Sequence, residues 1–169
     1  MKNIVIATVL LLLVAAAGYG FTKQDFGGTS EDTATVGSGG VAGTRSVLDL
    51  SGQGLTKAPA YIFDRTDIEN LNLSRNAITG ALQAEVRRLQ NLKVLDLSDN
   101  KFTGVPAEIG QLKKLEVLDL SNNELTGLPY ELGSLSRLQL LDVSGNAYSE
   151  ADLLKIKESL PSSTVIKTK

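Results

Sequence analysis

The feature that most constrains this fold is a four-residue motif that recurs five times at an almost constant spacing. Every copy begins with leucine, has leucine or valine at its third position and ends with serine. Successive copies start 23, 24, 23 and 23 residues apart. Such self-similarity predicts a stack of structural units, each too small to bury its apolar face alone. The five copies begin at Leu48, Leu71, Leu95, Leu118 and Leu141.

Within each unit, the alternation of apolar and polar residues predicts a short half-buried strand. Successive side chains of a strand point to opposite faces, so the leucines point inward and the residue between them points outward. Five residues after the first leucine, four of the five units carry an asparagine, whereas the first unit has Gln53. A buried asparagine is costly unless its amide is hydrogen-bonded. The four asparagines are Asn76, Asn100, Asn123 and Asn146.

The second half of the unit also repeats, since residues 102–112 closely match residues 125–135. These motifs resemble the leucine-rich-repeat family, whose pattern is LxxLxLxxNxLTxLPxxIGxL, over about residues 45–160. The resemblance implies an α/β fold: a right-handed solenoid of about five repeats with a parallel sheet on its concave face. It also implies short helical turns on the convex face, near residues 85–89 and 108–112. The family's asparagines form a ladder that bonds the loop backbone, which implies that role for the four asparagines here.

Residues from about position 147 onward predict a C-terminal cap. A serine three residues before an acid, Ser149 before Asp152, predicts a side-chain cap for a helix. Pro161 is expected to end that helix, and the β-branched residues 164–166 favour a sixth strand. The apolar face of the helix has i, i+3 and i+7 spacing and comprises Leu153, Ile156 and Leu160.

The N-terminal residues 1–21 contain an apolar run that starts at position 4, behind Lys2. As a helix the run would extend about 27 Å, close to the hydrocarbon thickness of a bilayer. We expect it to be retained as a single membrane span, with the repeat domain outside the cytoplasm. The alternative is a signal peptide that is cleaved near Ala17, which would give a secreted protein. Residues 22–44, rich in Gly, Ser and Thr, predict a flexible linker to the repeat domain, residues 45–169.

Two missing residue types narrow the chemistry that the protein can perform. The chain contains no cysteine, so disulfides and thiolate metal sites are excluded, and no histidine, which excludes histidine-dependent triads and imidazole metal ligands. The formal net charge is -2, without the basic stripe typical of nucleic-acid binding. An enzyme could still use Asp, Glu, Lys or Tyr, but a shallow solvated sheet offers no pocket to shift their pKa values. We therefore expect no catalysis, no cofactor, no metal and no nucleic-acid partner.

The outward residues of the five strands are expected to form columns across the concave sheet. Val94, Val117 and Leu140 are predicted to lie exposed side by side, and the next column carries aspartates in four of five units. An apolar strip bordered by charge is typical of a protein interface, and an acidic border favours a basic partner. The expected contact residues are Asn70, Asn72, Arg75, Val94, Asp96, Asp99, Val117, Asp119, Asn122, Leu140 and Asp142.

The resulting functional hypothesis is a non-catalytic, monomeric module that binds a protein or peptide at the outer face of a membrane. A structural or envelope-associated spacer without a specific partner is the alternative, and an accessory domain of an enzyme is a more distant one. The aspartates are also explained by the repeat motif itself, in which Leu-Asp-Leu-Ser recurs. The nature of the outward surface separates the first two hypotheses, since a wholly polar face would favour the spacer.

Overall fold

The computed structural model describes residues 46–168. The predicted membrane span and the predicted linker, residues 4–21 and 22–44, lie outside this range. Among the helices of residues 46–168, none has the length and apolar character needed to cross a bilayer. The described residues form the predicted solenoid, with a sheet on one side and short helical turns on the other.

Six parallel strands form one sheet along the solenoid, and each predicted Leu-containing segment supplies one of the first five. Their register pairs equivalent residues of successive units, so that Leu71 lies beside Leu95 and Leu95 beside Leu118. The predicted sixth strand is confirmed and pairs with the fifth. In order across the sheet, the strands are β1 (Ser46–Asp49), β2 (Ile68–Asn72), β4 (Val94–Asp96), β6 (Val117–Asp119), β7 (Leu140–Asp142) and β8 (Val165–Lys167).

A second, two-stranded parallel sheet lies in the middle units and was not predicted from the sequence. It pairs β3 (Thr79–Ala81) with β5 (Lys101–Gly104). Its register shifts between Gly80 and Ala81, within the unit that is one residue longer than the others. Gly80 has a φ of 76°, a left-handed conformation that glycine adopts without steric cost. The irregular pairing therefore lies in the unit that carries the extra residue.

The convex side is formed by four short 3₁₀ helices, which confirms the predicted helical turns. Three of them begin after a proline, whose φ near −65° suits the extended entry into the turn. Each turn buries an apolar residue against the sheet, for example Val86 and Leu132. The turns are η1 (Ala60–Asp64), η2 (Ala84–Arg88), η3 (Ala107–Gln111) and η4 (Tyr130–Ser134).

The core lies between the sheet and these turns and consists mainly of the repeated leucines. Leu71, Leu95 and Leu118 are buried to within 1% of full burial. Complete burial of one such side chain contributes about 1.5–3 kcal/mol relative to an exposed position. Because each leucine contacts its equivalents in adjacent units, the stability of the stack depends on contacts between neighbours.

Two glycines allow the convex turns to stack closely. A side chain at Gly110 would collide with the backbone of Glu131 in the next turn. A Cβ at Gly133 would lie 2.7 Å from the Cβ of Ser159 in the C-terminal helix. The glycine of the Ile-Gly or Leu-Gly pair is therefore required by contact with the following unit.

The four asparagines form the expected ladder. The side-chain NH₂ of Asn100 donates to the carbonyl oxygens of Leu97 and Ser98 in its own unit and to that of Leu73 in the unit before. Its Oδ1 accepts the backbone N–H of Ile78 at 3.1 Å. Gln53 does not take this role: its side chain is exposed, and its backbone N–H instead donates to Oδ1 of Asn76. The equivalent donations in the other units come from Asn76, Asn123 and Asn146.

The C-terminal cap is the helix α1 (Glu150–Ser159), which ends before Pro161 as predicted. Ile156 is buried on its predicted apolar face and Leu153 is half-buried there, whereas Leu160 is buried just after the helix ends. The predicted capping by the Ser149 side chain is wrong, since that side chain makes no cap hydrogen bond. The Asp152 carboxylate instead accepts a hydrogen bond from the Tyr130 hydroxyl at 3.1 Å, so it fastens α1 to the last convex turn.

Candidate functional site

The outward face of the six-stranded sheet brings the predicted contact residues together in columns. Equivalent residues pair directly from strand to strand, as Asn70 does with Val94 and Asn72 with Asp96. Strand β8 adds a sixth residue to two columns, placing Val165 beside Leu140 and Lys167 beside Asp142. Neither residue was among the predicted contacts, although alternation along the predicted strand at 164–166 would have indicated Val165. Lys167 lies one residue beyond that predicted strand.

The apolar column is less accessible than predicted. Val117 is 4% exposed and Leu140 only 1%, and Val94 is half-buried. The residues at the two ends of the column, Val47 and Val165, are 40% and 53% exposed. An inner side chain has a neighbour on both adjacent strands, whereas an end residue has only one. The expectation of an exposed strip at Val94, Val117 and Leu140 is therefore wrong for its last two members.

The aspartate column has a structural role at the carboxyl ends of the strands. In every unit Oδ1 of the Asp, or of Asn72, accepts the backbone N–H of the serine two residues later, at 2.9–3.0 Å. In the third, fourth and fifth units the serine hydroxyl also donates to the same oxygen. A side-chain bond to the backbone two residues on is typical of Asp and Asn at turns. The recurrent Asp-x-Ser spacing in the sequence indicates this hydrogen bond.

The aspartates of the central units are largely buried, unlike an exposed acidic border. Asp119 and Asp142 are 2% and 1% exposed, and Asp96 is half-buried. Burial, followed by the neighbouring Asp96 carboxylate, raises the pKa of Asp119 to about 6. Burial also raises the pKa of Asp96. At the end of the column, Lys167 Nζ lies 3.4 Å from Oδ2 of Asp142 and supplies a counter-charge.

Three predicted contact residues stand out because they are exposed and have left-handed backbones. Arg75, Asp99 and Asn122 occupy the equivalent position in successive units, with φ of 54°, 53° and 53°. Glycine fills that position in the first and last units, at Gly52 and Gly145. Non-glycine residues rarely adopt this conformation, since Cβ approaches the backbone carbonyl. We call Arg75, Asp99 and Asn122 the exposed ridge.

The exposed ridge is chemically mixed. The Asn122 side-chain NH₂ donates to Oδ1 of Asp99 at 2.8 Å. Arg75 contributes a guanidinium, whose charge lowers the pKa of Asp96 against the larger opposite effect of burial. A cation, a carboxylate and an amide on one line can donate to and accept from an extended polar chain.

An ion pair between β2 and the residue before β4 was not predicted from the sequence. Lys93 Nζ lies 3.0 Å from Oε2 of Glu69 on the preceding strand, and both side chains are more than two-thirds buried. Opposite charges on directly adjacent strands stabilise a sheet. The spacing of Glu69, Lys93 and Glu116, one per unit at the same position, was the signal for this pairing.

Comparison with known proteins agrees with this geometry. A family model described as leucine rich repeat matches residues 90–147. An LRR protein from Leptospira interrogans has a similar structure, with a TM-score of 0.62 and 40% sequence identity over 66% of this chain and 28% of its own. The plant peptide hormone receptor RGFR1, solved in complex with RGF2, superposes with a TM-score of 0.60 and 35% identity over 72% of this chain and 20% of the receptor.

A curated relative, the probable serine/threonine-protein kinase roco9 of Dictyostelium discoideum, is 40% identical over 60 residues. That match covers 35% of this chain and 2% of the kinase. The chain thus spans less than a third of the length of each of these three relatives. The five-fold motif, the parallel sheet with its asparagine ladder and these matches lead to one conclusion: residues 46–168 form a leucine-rich-repeat solenoid, in which residues 90–147 match the family's model.

Proposed function

We propose that this protein is a non-catalytic module that binds a protein or peptide through the exposed ridge and the half-buried residues beside it. The observation that carries the proposal is the ridge itself, where Arg75, Asp99 and Asn122 hold exposed side chains in a left-handed conformation. Backbone conformations of this kind concentrate at functional sites. The two end units, which have glycine there, carry no such side chain.

The residues next to the ridge complete the proposed surface. Asn70, Asn72, Val94 and Asp96 are half-buried, which leaves part of each side chain available to a ligand. Four other predicted contact residues support this surface from within and do not touch the partner, because they are buried: Val117, Asp119, Leu140 and Asp142. The surface is therefore centred on the second to fourth units and is more polar than the sequence predicted.

The similarity to a receptor solved in complex with RGF2 supports a peptide or protein as the ligand. The likeness is to a fifth of that receptor, so it supports the class of ligand and not its sequence. Asp96 and Asp99 beside the half-buried Val94 favour a partner with basic residues, through electrostatic steering of the encounter.

A peptide-display selection on the immobilised full chain tests the proposal. Random peptides would be selected for binding, and the enriched ones measured against Asp99→Lys and the matched control Glu131→Lys. Both changes invert one exposed charge, but Glu131 lies on the convex turn η4. We expect Asp99→Lys to weaken binding at least about tenfold, or about 1.4 kcal/mol, and Glu131→Lys to leave it unchanged. Equal losses, or no enriched peptide, would favour the spacer hypothesis.

We also propose that residues 4–21 tether the module to a membrane, with the repeats outside the cytoplasm. The length and apolar character of the run, together with Lys2 before it, support this placement. Mass spectrometry of the mature N-terminus, combined with membrane fractionation, tests it. A mature chain that begins at or near Gly18 and fractionates with soluble protein would contradict the tether and indicate secretion.

A further inference from the structure

The central aspartate column contains a carboxylate that is buried between two others. Asp119 pairs in register with Asp96 on one side and with Asp142 on the other. Adjacent strands of a sheet are about 4.8 Å apart, so the three carboxylates form a closely spaced ladder. Asp119 is the middle member and is 2% exposed.

The hydrogen bonds of the column orient each carboxylate in the same way. Oδ1 of Asp119 accepts the backbone N–H of Ser121 at 2.9 Å and its hydroxyl at 2.6 Å. Asp96 and Asp142 bind their own serines through Oδ1 in the same geometry. With Oδ1 used in this way in all three rungs, Oδ2 is the oxygen of Asp119 left to carry a proton.

The charged groups around Asp119 are mostly negative. Asp96 faces it from β4 and Asp142 from β7. The cation Lys167 on β8 contacts Asp142, one strand further away, and Arg75 acts on Asp96 rather than on Asp119. Further out, Asp99 acts on Asp96 and Tyr148 is close enough to Asp142 to sense its charge. Like charges held together at low solvent exposure favour the neutral form of one of them.

We propose that Asp119 binds a proton in the folded solenoid as the pH falls from neutral to mildly acidic values, which makes this column a pH-sensitive element of the fold. The proton comes from solvent and forms an O–H bond at Oδ2. The resulting carboxyl group can donate to a neighbouring carboxylate, which replaces repulsion between adjacent strands with a hydrogen bond.

The direction of the pH effect follows from linkage between protonation and folding. Burial, and then Asp96, raises the pKa of Asp119 in the folded chain to about 6, above the value of about 3.9 for an exposed aspartate. The folded state therefore holds a proton that the unfolded state has released. This contribution to stability is complete below the unfolded pKa and is lost as the pH rises through about 6. The solenoid should be more stable at mildly acidic pH than at mildly alkaline pH.

One unit of the protein already has a neutral side chain in the aspartate column. Asn72 occupies the same column in β2 and accepts the backbone N–H of Ser74 at 2.9 Å through Oδ1. A neutral amide can therefore make the strand-end turn without a charge. Asp119→Asn should preserve the turn and remove the titrating group.

Denaturant unfolding of the full chain in detergent micelles, from pH 4 to pH 8, tests the proposal on the wild type, Asp119→Asn and Asp49→Asn. Asp49 makes the same serine bond at an exposed end of the column, so it serves as the matched control. We expect the wild-type folding equilibrium constant to fall on the order of 100-fold over this range because of this one group. Asp119→Asn should remove most of that loss, and Asp49→Asn should not.

A carbon-detected NMR titration of the aspartate carboxyl groups gives a second readout that needs no variant. The proposal expects the Asp119 carboxyl carbon to titrate about two pH units above that of an exposed aspartate. Titration of Asp119 near pH 4, or an unchanged pH dependence in a folded Asp119→Asn variant, would overturn it. If Asp119→Asn fails to fold, the wild-type titration decides.

Discussion

The side-chain amide of Asn123 donates to the carbonyl oxygen of Leu97, in the unit before its own, at 3.0 Å. The same nitrogen also donates to Leu120 and Ser121 within its own unit. Its Oδ1 accepts the backbone N–H of Phe102 at 3.0 Å. One buried side chain therefore satisfies backbone groups of two successive units, and it is a direct link between them.

Replacing the Asn123 side chain should lower the stability of the fold. In Asn123→Ala, the buried N–H of Phe102 loses its acceptor, which costs about 1–3 kcal/mol. The carbonyls of Leu97, Leu120 and Ser121 each also lose one of two donors. We expect the free energy of unfolding to fall by at least about 2 kcal/mol, measured by urea denaturation. Gln53→Ala is the matched control, since Gln53 holds the same position in the first unit but is exposed. A similar loss in both variants would contradict a structural role for the ladder.

Truncation of a core leucine tests the stacking of the units. Leu97 is 1% exposed, so Leu97→Ala removes buried surface and leaves a cavity. The expected loss is about 2–5 kcal/mol in the free energy of unfolding. Leu154→Ala makes the same chemical change at a side chain that is 62% exposed and should cost no more than about 0.5 kcal/mol. Comparable losses from the two substitutions would mean that Leu97 is not in the core.

The close contact between Gly133 in the last convex turn and Ser159 in the C-terminal helix can be tested with a pair of compensating substitutions. Gly133→Ala places a methyl group against the Cβ of Ser159 and should destabilise the protein by about 1–3 kcal/mol. Ser159→Gly removes the obstructing Cβ, so the double variant should recover part of that loss. A double-mutant cycle on thermal unfolding measures the coupling, and strictly additive effects would exclude a direct clash.

The exposed ridge predicts opposite results for two substitutions at equivalent positions. Arg75→Gly relieves a left-handed conformation worth about 1–2 kcal/mol of strain, partly offset by the greater freedom of glycine in the unfolded chain. Its stability should be unchanged or higher by up to about 1 kcal/mol. Gly145→Ala creates the strain and places Cβ 2.5 Å from Oδ1 of Asn122, so its stability should fall. Chemical denaturation of both variants makes the comparison.

Arg75→Gly also separates binding from folding. If the ridge contacts a partner, this variant should bind selected peptides more weakly while it unfolds no more easily than the wild type. Unchanged peptide affinity would remove Arg75 from the proposed surface without affecting the fold assignment.

The repeat could be predicted from the sequence because each element depends on local spacing. Alternation places Leu95 and Leu118 on one face, and a fixed interval places Asn100 where buried carbonyls need a donor. The second sheet was not predictable in this way, because its pairing depends on the path of two loops in adjacent units. Ser149 holds the predicted N-cap position, but the Asp152 N–H donates to its backbone carbonyl and not to its side chain, a choice that spacing alone does not reveal.

The candidate site was predicted less well than the fold. A period of two assigns a residue to a face but not to a depth, so Val117 and Leu140 were placed correctly on the outward face but wrongly at the surface. The left-handed backbone of the ridge was also hidden, because arginine and aspartate do not signal positive φ as glycine does.

The asparagine ladder has a consequence for how such a chain can change its length. Each ladder asparagine donates to carbonyls in its own unit and in the unit before it, through the same atoms every time. A gene duplication or deletion that spans one whole unit therefore rebuilds an identical junction at the point of joining. An insertion of another length must be absorbed outside the columns, as the extra residue of the second unit is, where the register shifts beside Gly80. Unequal recombination between repeats can thus lengthen or shorten the solenoid by one whole unit at a time while the hydrogen bonds between units are kept.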